Sequence, residues 1–216
     1  MFVGHFAAAY AAKRLAPRTS LGTLFAAAQL PDLAWPWLLL AGVERATIAP
    51  GDTALTPLRF DSYPISHSLA AVAAWGAAFG AVHLWRKRRP TDALLLGLLV
   101  VSHWALDFLT HRPDMPLWPG GPKVGLGLWN SVPATLVVEL LMSAAGLWLY
   151  FSSTRARDRV GRWGAIGLGA LILLIYAGNV AGPPPPSLEV VAWAGAVGGL
   201  LLWALAVWTD RHREPA

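Results

Sequence analysis

Cysteine is missing from the 216-residue chain altogether, which excludes a disulfide framework and any thiolate metal site. Charge is scarce as well. Only 13% of the residues are Asp, Glu, Lys or Arg, about half of the roughly 25% typical of a soluble domain, so an ordinary water-facing surface is excluded. The net charge of +5 is spread over short basic clusters between apolar runs, not gathered on one face, and this argues against nucleic-acid binding. No basic segment precedes the first apolar stretch, because Lys13 and Arg14 follow it; a cleavable signal peptide is therefore not expected. The absence of a convincing internal repeat weighs against an inverted-repeat transporter.

What is plentiful is apolar. Hydrophobic residues make up 56% of the chain, and 12 Trp, many of them flanking apolar runs, suit the membrane–water interface. A membrane span needs about 20 mostly apolar residues. The pattern predicts an all-α, polytopic transmembrane bundle of six long spans, at 20–43, 66–85, 92–110, 131–151, 162–181 and 187–208. A short N-terminal stretch, Phe2 to Ala12, reads as a further membrane-embedded helix. Residues 1–151 are expected to form the bundle that carries the site. Residues 152–216, rich in Gly, Ala and Leu, are expected to form a scaffold pair of helices.

Basic and non-basic connections alternate along the chain. Lys13, Arg14 and Arg18, then Arg86 to Arg89, then Arg155 to Arg162, and finally Arg211 and Arg213 fall on one side. The loops 44–65 and 111–130 and the Gly182–Pro186 turn are poor in Lys and Arg. By the positive-inside rule the basic side and the C-terminus are cytoplasmic and the two long loops face outward.

Several polar residues stand where hydrocarbon should exclude them: His5 in the short stretch, Asp32 between Pro31 and Pro36, His67 at the mouth of the second span, His103 and Asp107 in the third, and Glu139 in the fourth. A carboxylate at the centre of a span costs about 2.5–3.5 kcal/mol unless it is paired, protonated or faces a cavity. Asp32, Asp107 and Glu139 share their spans with no Lys or Arg, so protons or a divalent metal must supply the positive charge. The presence of His favours metal. His103 and Asp107 are an i, i+4 pair on one helix face and can grip one ion, and His111 continues that face. The expected ligands are His5, Asp32, His67, His103 and Asp107. Nitrogen and oxygen donors without sulfur suit Zn, Mn or Fe, with Zn first. His83 and His212 adjoin basic clusters and read as solvated. Arg112 and Asp114 read as a loop pair.

In this order the residues resemble the YdjM-like family of inner-membrane metal-dependent hydrolases. The runs that carry the resemblance are Gly4-His5, Leu30-Pro31-Asp32, Ser66-His67-Ser68, Ser102-His103 with Asp107, Leu109 and Thr110, and Leu117-Trp118-Pro119. It covers roughly residues 1–120 and, more loosely, 121–151. The ligand order is also similar to that of the zinc-dependent phospholipase C and nuclease fold, in which Asp32, His67, His103 and Asp107 match the first ligand set, His5 an N-terminal ligand and Glu139 a late acid. Two departures are visible: Leu33-Ala34 follows Asp32 where the YdjM-like pattern has a second acid, and Thr135 stands where a His would precede Glu139. One metal, or two bridged by Asp107, is the expectation.

The resemblance implies a bacterial inner-membrane, multi-pass hydrolase acting on a phosphoester or related bond of a lipid or envelope substrate, reached from the outer face. Glu139 or His111 would serve as general base or orienting group, and Arg112 would hold the anionic group. The alternatives from other classes are a metal or proton transporter and a non-catalytic membrane scaffold with a structural metal.

Overall fold

The computed structural model describes residues 1–216 and contains eight α-helices joined by short loops and three small strand pairs. In chain order they are α1 (Val3–Leu15), α2 (Leu21–Ala28), α3 (Leu30–Leu40), β1 (Arg45–Ile48), β2 (Leu58–Ser62), α4 (Leu69–Lys87), α5 (Pro90–Thr110), β3 (Met115–Pro116), β4 (Lys123–Val124), α6 (Val132–Ser153), β5 (Thr154–Ala156), α7 (Arg159–Ala181), α8 (Leu188–Arg211) and β6 (Arg213–Pro215). Side-chain oxygens start five of the helices. Ser20, Ser68, Ser131, Asp158 and Ser187 each accept from a backbone N–H of the first turn, satisfying donors that a helix start leaves open.

The helical expectation needs two corrections. Four helices, not six, are long and apolar enough to cross a membrane: α5, α6, α7 and α8, of 21, 22, 23 and 24 residues. The expected span at 20–43 is instead two short helices of 8 and 11 residues meeting at Gln29. Pro31 supplies no N–H and sits at the start of α3, and Pro36 lies inside it, so one continuous ladder across the segment is excluded. The expected span at 66–85 begins later, at Leu69; α4 is Ala- and Gly-rich and ends in His83, Arg86 and Lys87, which dilutes its apolar character. The chain is also not purely α. Antiparallel pairs β1–β2, β3–β4 and β5–β6 organise the two long loops and the C-terminus.

Helix α1 is the central element, packed on α6, α2 and α5. Its approach to α6 is close: a Cβ on Gly146 would lie 2.5 Å from the Ala7 carbonyl oxygen. Helices α4 and α5 pair in the same way, Gly76 against the Gly97 carbonyl and Gly80 against that of Ala93, each at 2.7 Å; small residues let the backbones meet. Helix α8 packs on α2, α3 and α7. The core that results is aromatic along α1, with Phe6, Phe25, Tyr10 and Tyr150 in sequence, ring centroids 5.1 Å apart. Large apolar side chains such as Leu94, Leu141, Leu174 and Val197 point outward, the reverse of a water-soluble bundle.

Candidate metal centre

Four elements deliver five side chains to one point beneath the long loops. His5 comes from the first turn of α1 and Asp32 from the first turn of α3, where the helix dipole favours a carboxylate. His67 comes from the turn before α4, and His103 and Asp107 from successive turns of α5. His5, His103 and Asp107 form one buried triad with ligand atoms within 4.8 Å of one another, and Asp32, His67 and His103 form a second. All five expected ligands are therefore brought together.

Hydrogen bonds behind the rings set which nitrogen faces inward. His103 Nδ1 lies 2.7 Å from the Ala28 carbonyl, so it carries the proton and donates it. Ser66 Oγ donates to Glu44 Oε2 at 2.6 Å and accepts from His67 Nδ1 at 2.6 Å. In both rings Nε2 is left facing the centre, the arrangement that orients metal-binding histidines. What they face is negative. His67 Nε2 is 3.4 Å from Asp32 Oδ1 and 3.8 Å from Asp107 Oδ2; His103 Nε2 is 3.6 Å and 3.2 Å from the same two atoms. A tetrahedral ion with ligands at about 2.0–2.1 Å would separate them by roughly 3.3 Å. The four separations run from 3.2 to 3.8 Å, close enough for a cation to lie among these side chains. The donor set fits a divalent metal, and its identity is open.

The other oxygen of Asp107 has different neighbours. Oδ1 accepts from the Met1 α-amino group, lies 3.0 Å from His5 Nε2 and 3.9 Å from His111 Nε2. His5 stacks on His103 at 3.7 Å between centroids. Helix α5 ends at Thr110, and His111 leaves it in an extended conformation, yet its ring still faces Asp107. His111 Nδ1 donates to Asp114 Oδ1 at 3.0 Å, and Tyr63 Oη donates to the same oxygen at 2.9 Å. Burial pushes the Asp114 carboxyl up, but the bonds from His111, Tyr63 and Arg112 outweigh it and hold it below the usual range. Burial lowers His111 against the opposing pull of Asp114, so its ring is neutral at pH 7.

The residues expected to act on substrate sit less simply. Glu139 is fully buried, and its Oε2 accepts from the backbone N–H of Phe2 at 3.0 Å and of Gly4 at 3.3 Å, closing the start of α1; Oε1 has no partner. Arg112 is committed to Asp52 at 2.7 Å and Asp114 at 3.3 Å, and so pins the two long loops together. His212 bonds to Asp158 at 2.7 Å at the far end of the bundle.

Sequence reasoning missed Glu44. It is buried, accepts from the backbone N–H groups of Ile65 and Ser66 as well as from Ser66 Oγ, and fixes the whole turn that carries His67. Nothing in its spacing marks it, and Arg45, Asp52, Arg59 and Asp61 in the same loop make one more charge unremarkable. Ser66 was visible in a motif, but its part in orienting His67 was not. Trp129, whose ring lies 4.2 Å from that of His111, was missed too.

No family model, curated protein or solved structure matches the chain.

Proposed function

We propose that the protein is a membrane-embedded, metal-dependent hydrolase acting on a phosphoester or related bond in a lipid or envelope substrate. The observation that carries the reading is the pair of histidines, His67 and His103, whose Nδ1 atoms are engaged behind them and whose Nε2 atoms meet Asp32 and Asp107. Four helices of suitable length and apolarity supply the membrane part, and the alternation of basic loops puts the long loops and the centre beneath them on the outer face. The residue order that resembles YdjM-like hydrolases agrees with it.

Asp32, His67, His103 and Asp107 would hold the ion, with His5 on the second oxygen of Asp107. A bound divalent cation lowers the pKa of water and polarises a phosphoryl oxygen. His111, held neutral with its proton on the Asp114 side, has Nε2 free to accept a proton from that water. Glu139 Oε1, unpartnered in the wall of the adjoining cavity, is a second acceptor. Arg112, tied to two carboxylates, keeps the loops in place and meets an incoming anion only at their edge.

A conduit for metal or protons is less well supported. Below His5 the path along α1 is filled by Phe6, Phe25, Tyr10 and Tyr150, with no chain of polar groups through it. The test is elemental analysis of detergent-purified protein together with hydrolysis of a soluble aryl phosphate. The proposal expects near-stoichiometric divalent metal and metal-dependent turnover. A folded protein that never takes up metal would refute it.

A further inference from the structure

A cavity of about 860 Å³ adjoins the metal centre and runs between α3, α7 and α8. Its size is in the range of ligand sites. Asp32 and Glu139 are in its wall, so it reaches the centre directly, and Asp32 is the exposed member of the ligand set, its side chain 40% accessible against 0–6% for His67, His103 and Asp107. Away from that end the wall is mostly Leu, Val, Ala, Pro, Trp and Gly, broken by Thr53, Thr56 and Asn179, with no Lys, Arg or His anywhere in it. Along α8 it extends from Val190 to Trp203, about 20 Å at 1.5 Å per residue. One leaflet of hydrocarbon is roughly 15 Å deep, so the cavity is long enough for a chain that spans a leaflet.

Two further observations mark it as a seat for a ligand. Tyr176 and Glu139 line it, are 4% and 0% exposed, and leave the phenol oxygen and Oε1 with no hydrogen-bond partner, a costly state for buried polar atoms. Gly178 and Gly198 also line it, and a Cβ on either would meet nothing within 4 Å. These two glycines do not serve close helix packing, unlike Gly76 or Gly146. They leave room.

We propose that this cavity seats the apolar chain of a long-chain membrane phosphoester, whose head group then lies at the Asp32 end. The inference rests on the hydrolase reading for the fate of the head group, but the seat itself is a binding site and is tested as one.

The experiment compares the parent protein with Gly178→Leu and Gly198→Leu, which place a branched side chain in open space and favour the helix. Binding is read from quenching of Trp fluorescence by a hexadecyl phosphate brominated along its chain, Trp35 and Trp203 being in the wall. Each variant is expected to bind the probe at least about tenfold more weakly, with metal content and turnover of a soluble aryl phosphate unchanged. Equal binding by parent and variants overturns the proposal, as does a change of oligomeric state in place of lost binding, which would make the cavity a contact between copies. Chain binding that the variants abolish in a protein inactive toward every phosphoester would leave the seat standing and sink the hydrolase reading alone.

Discussion

The two ends of α1 hold two buried polar clusters, and they are built on opposite terms. At the C-terminal end Lys13 Nζ donates to Asp210 Oδ2 at 2.8 Å and to the Thr19 carbonyl at 2.9 Å, while Asp210 also accepts from the Leu21 N–H at 2.8 Å. Nearby Arg213 donates to the Gly161 and Thr154 carbonyls at 2.8 Å and 3.0 Å. Each charge there is answered by another protein group. About 12 Å away at helical rise, the His5 end gathers five histidines and acids on which no Lys or Arg side chain bears; the Met1 α-amino group answers Asp107 alone, and His103 Nε2 and His5 Nδ1 have no hydrogen-bond partner. Buried polarity that is complete within the chain holds the fold together. Buried polarity that is incomplete waits for something else.

The comparison breaks first, and most severely, at Asp107. Asp107→Ala removes the carboxylate that faces His5 through one oxygen and His67 and His103 through the other, and elemental analysis should show divalent metal falling from near-stoichiometric to background. Retained metal would mean that the two clusters do not differ as described. Next in size is Lys13→Met, which strands Asp210 in the core and should lower unfolding stability by about 3–5 kcal/mol without loss of metal. The double variant Lys13→Met with Asp210→Asn keeps an acceptor for Leu21 and should regain much of that loss in denaturant unfolding.

A smaller effect is expected at Glu44, which acts through Ser66 on His67. Glu44→Gln should leave a folded protein whose metal affinity is reduced about 10–100-fold, measured by competition with a chromophoric chelator. An unchanged affinity would make the relay mere loop structure. The smallest effect lies at the surface beside the Lys13 end. The Gly161 N–H and then His212 hold the Asp158 carboxyl below its usual 3.8, so its contribution is complete above that value and fades as pH falls through the depressed one. Thermal midpoints of parent and Asp158→Asn should therefore differ at neutral pH and converge in acid; a difference that persisted in acid would show that the carboxylate charge is not the cause.

The site was more legible than the fold. His103 and Asp107 announced themselves by i, i+4 spacing, and Asp32 and His5 by standing uncompensated in apolar sequence. The ends of α5, α6, α7 and α8 could be read closely because each is a long, uniformly apolar run. The segment 20–43 was misread because hydropathy records burial in something apolar and not whether that is lipid or protein: α2 is nearly all buried within the bundle. Glu44 was illegible for another reason. Its partners, the Ile65 and Ser66 N–H groups, lie 21 and 22 residues on, and only the pairing of β1 with β2 brings them together.

The break at Gln29 sets stability and function against each other. A single unbroken helix over 20–43 would satisfy every backbone group and suit the bilayer better, and Pro31→Ala is a step toward it. Such a repair would draw the Ala28 carbonyl back into the helix ladder, away from His103, and would take Asp32 out of a first turn. Selection for a more robust protein in this segment should therefore run into a ceiling set by the placing of His103 and Asp32, and stabilising substitutions should accumulate on the far side of the bundle, where the polar groups already have each other.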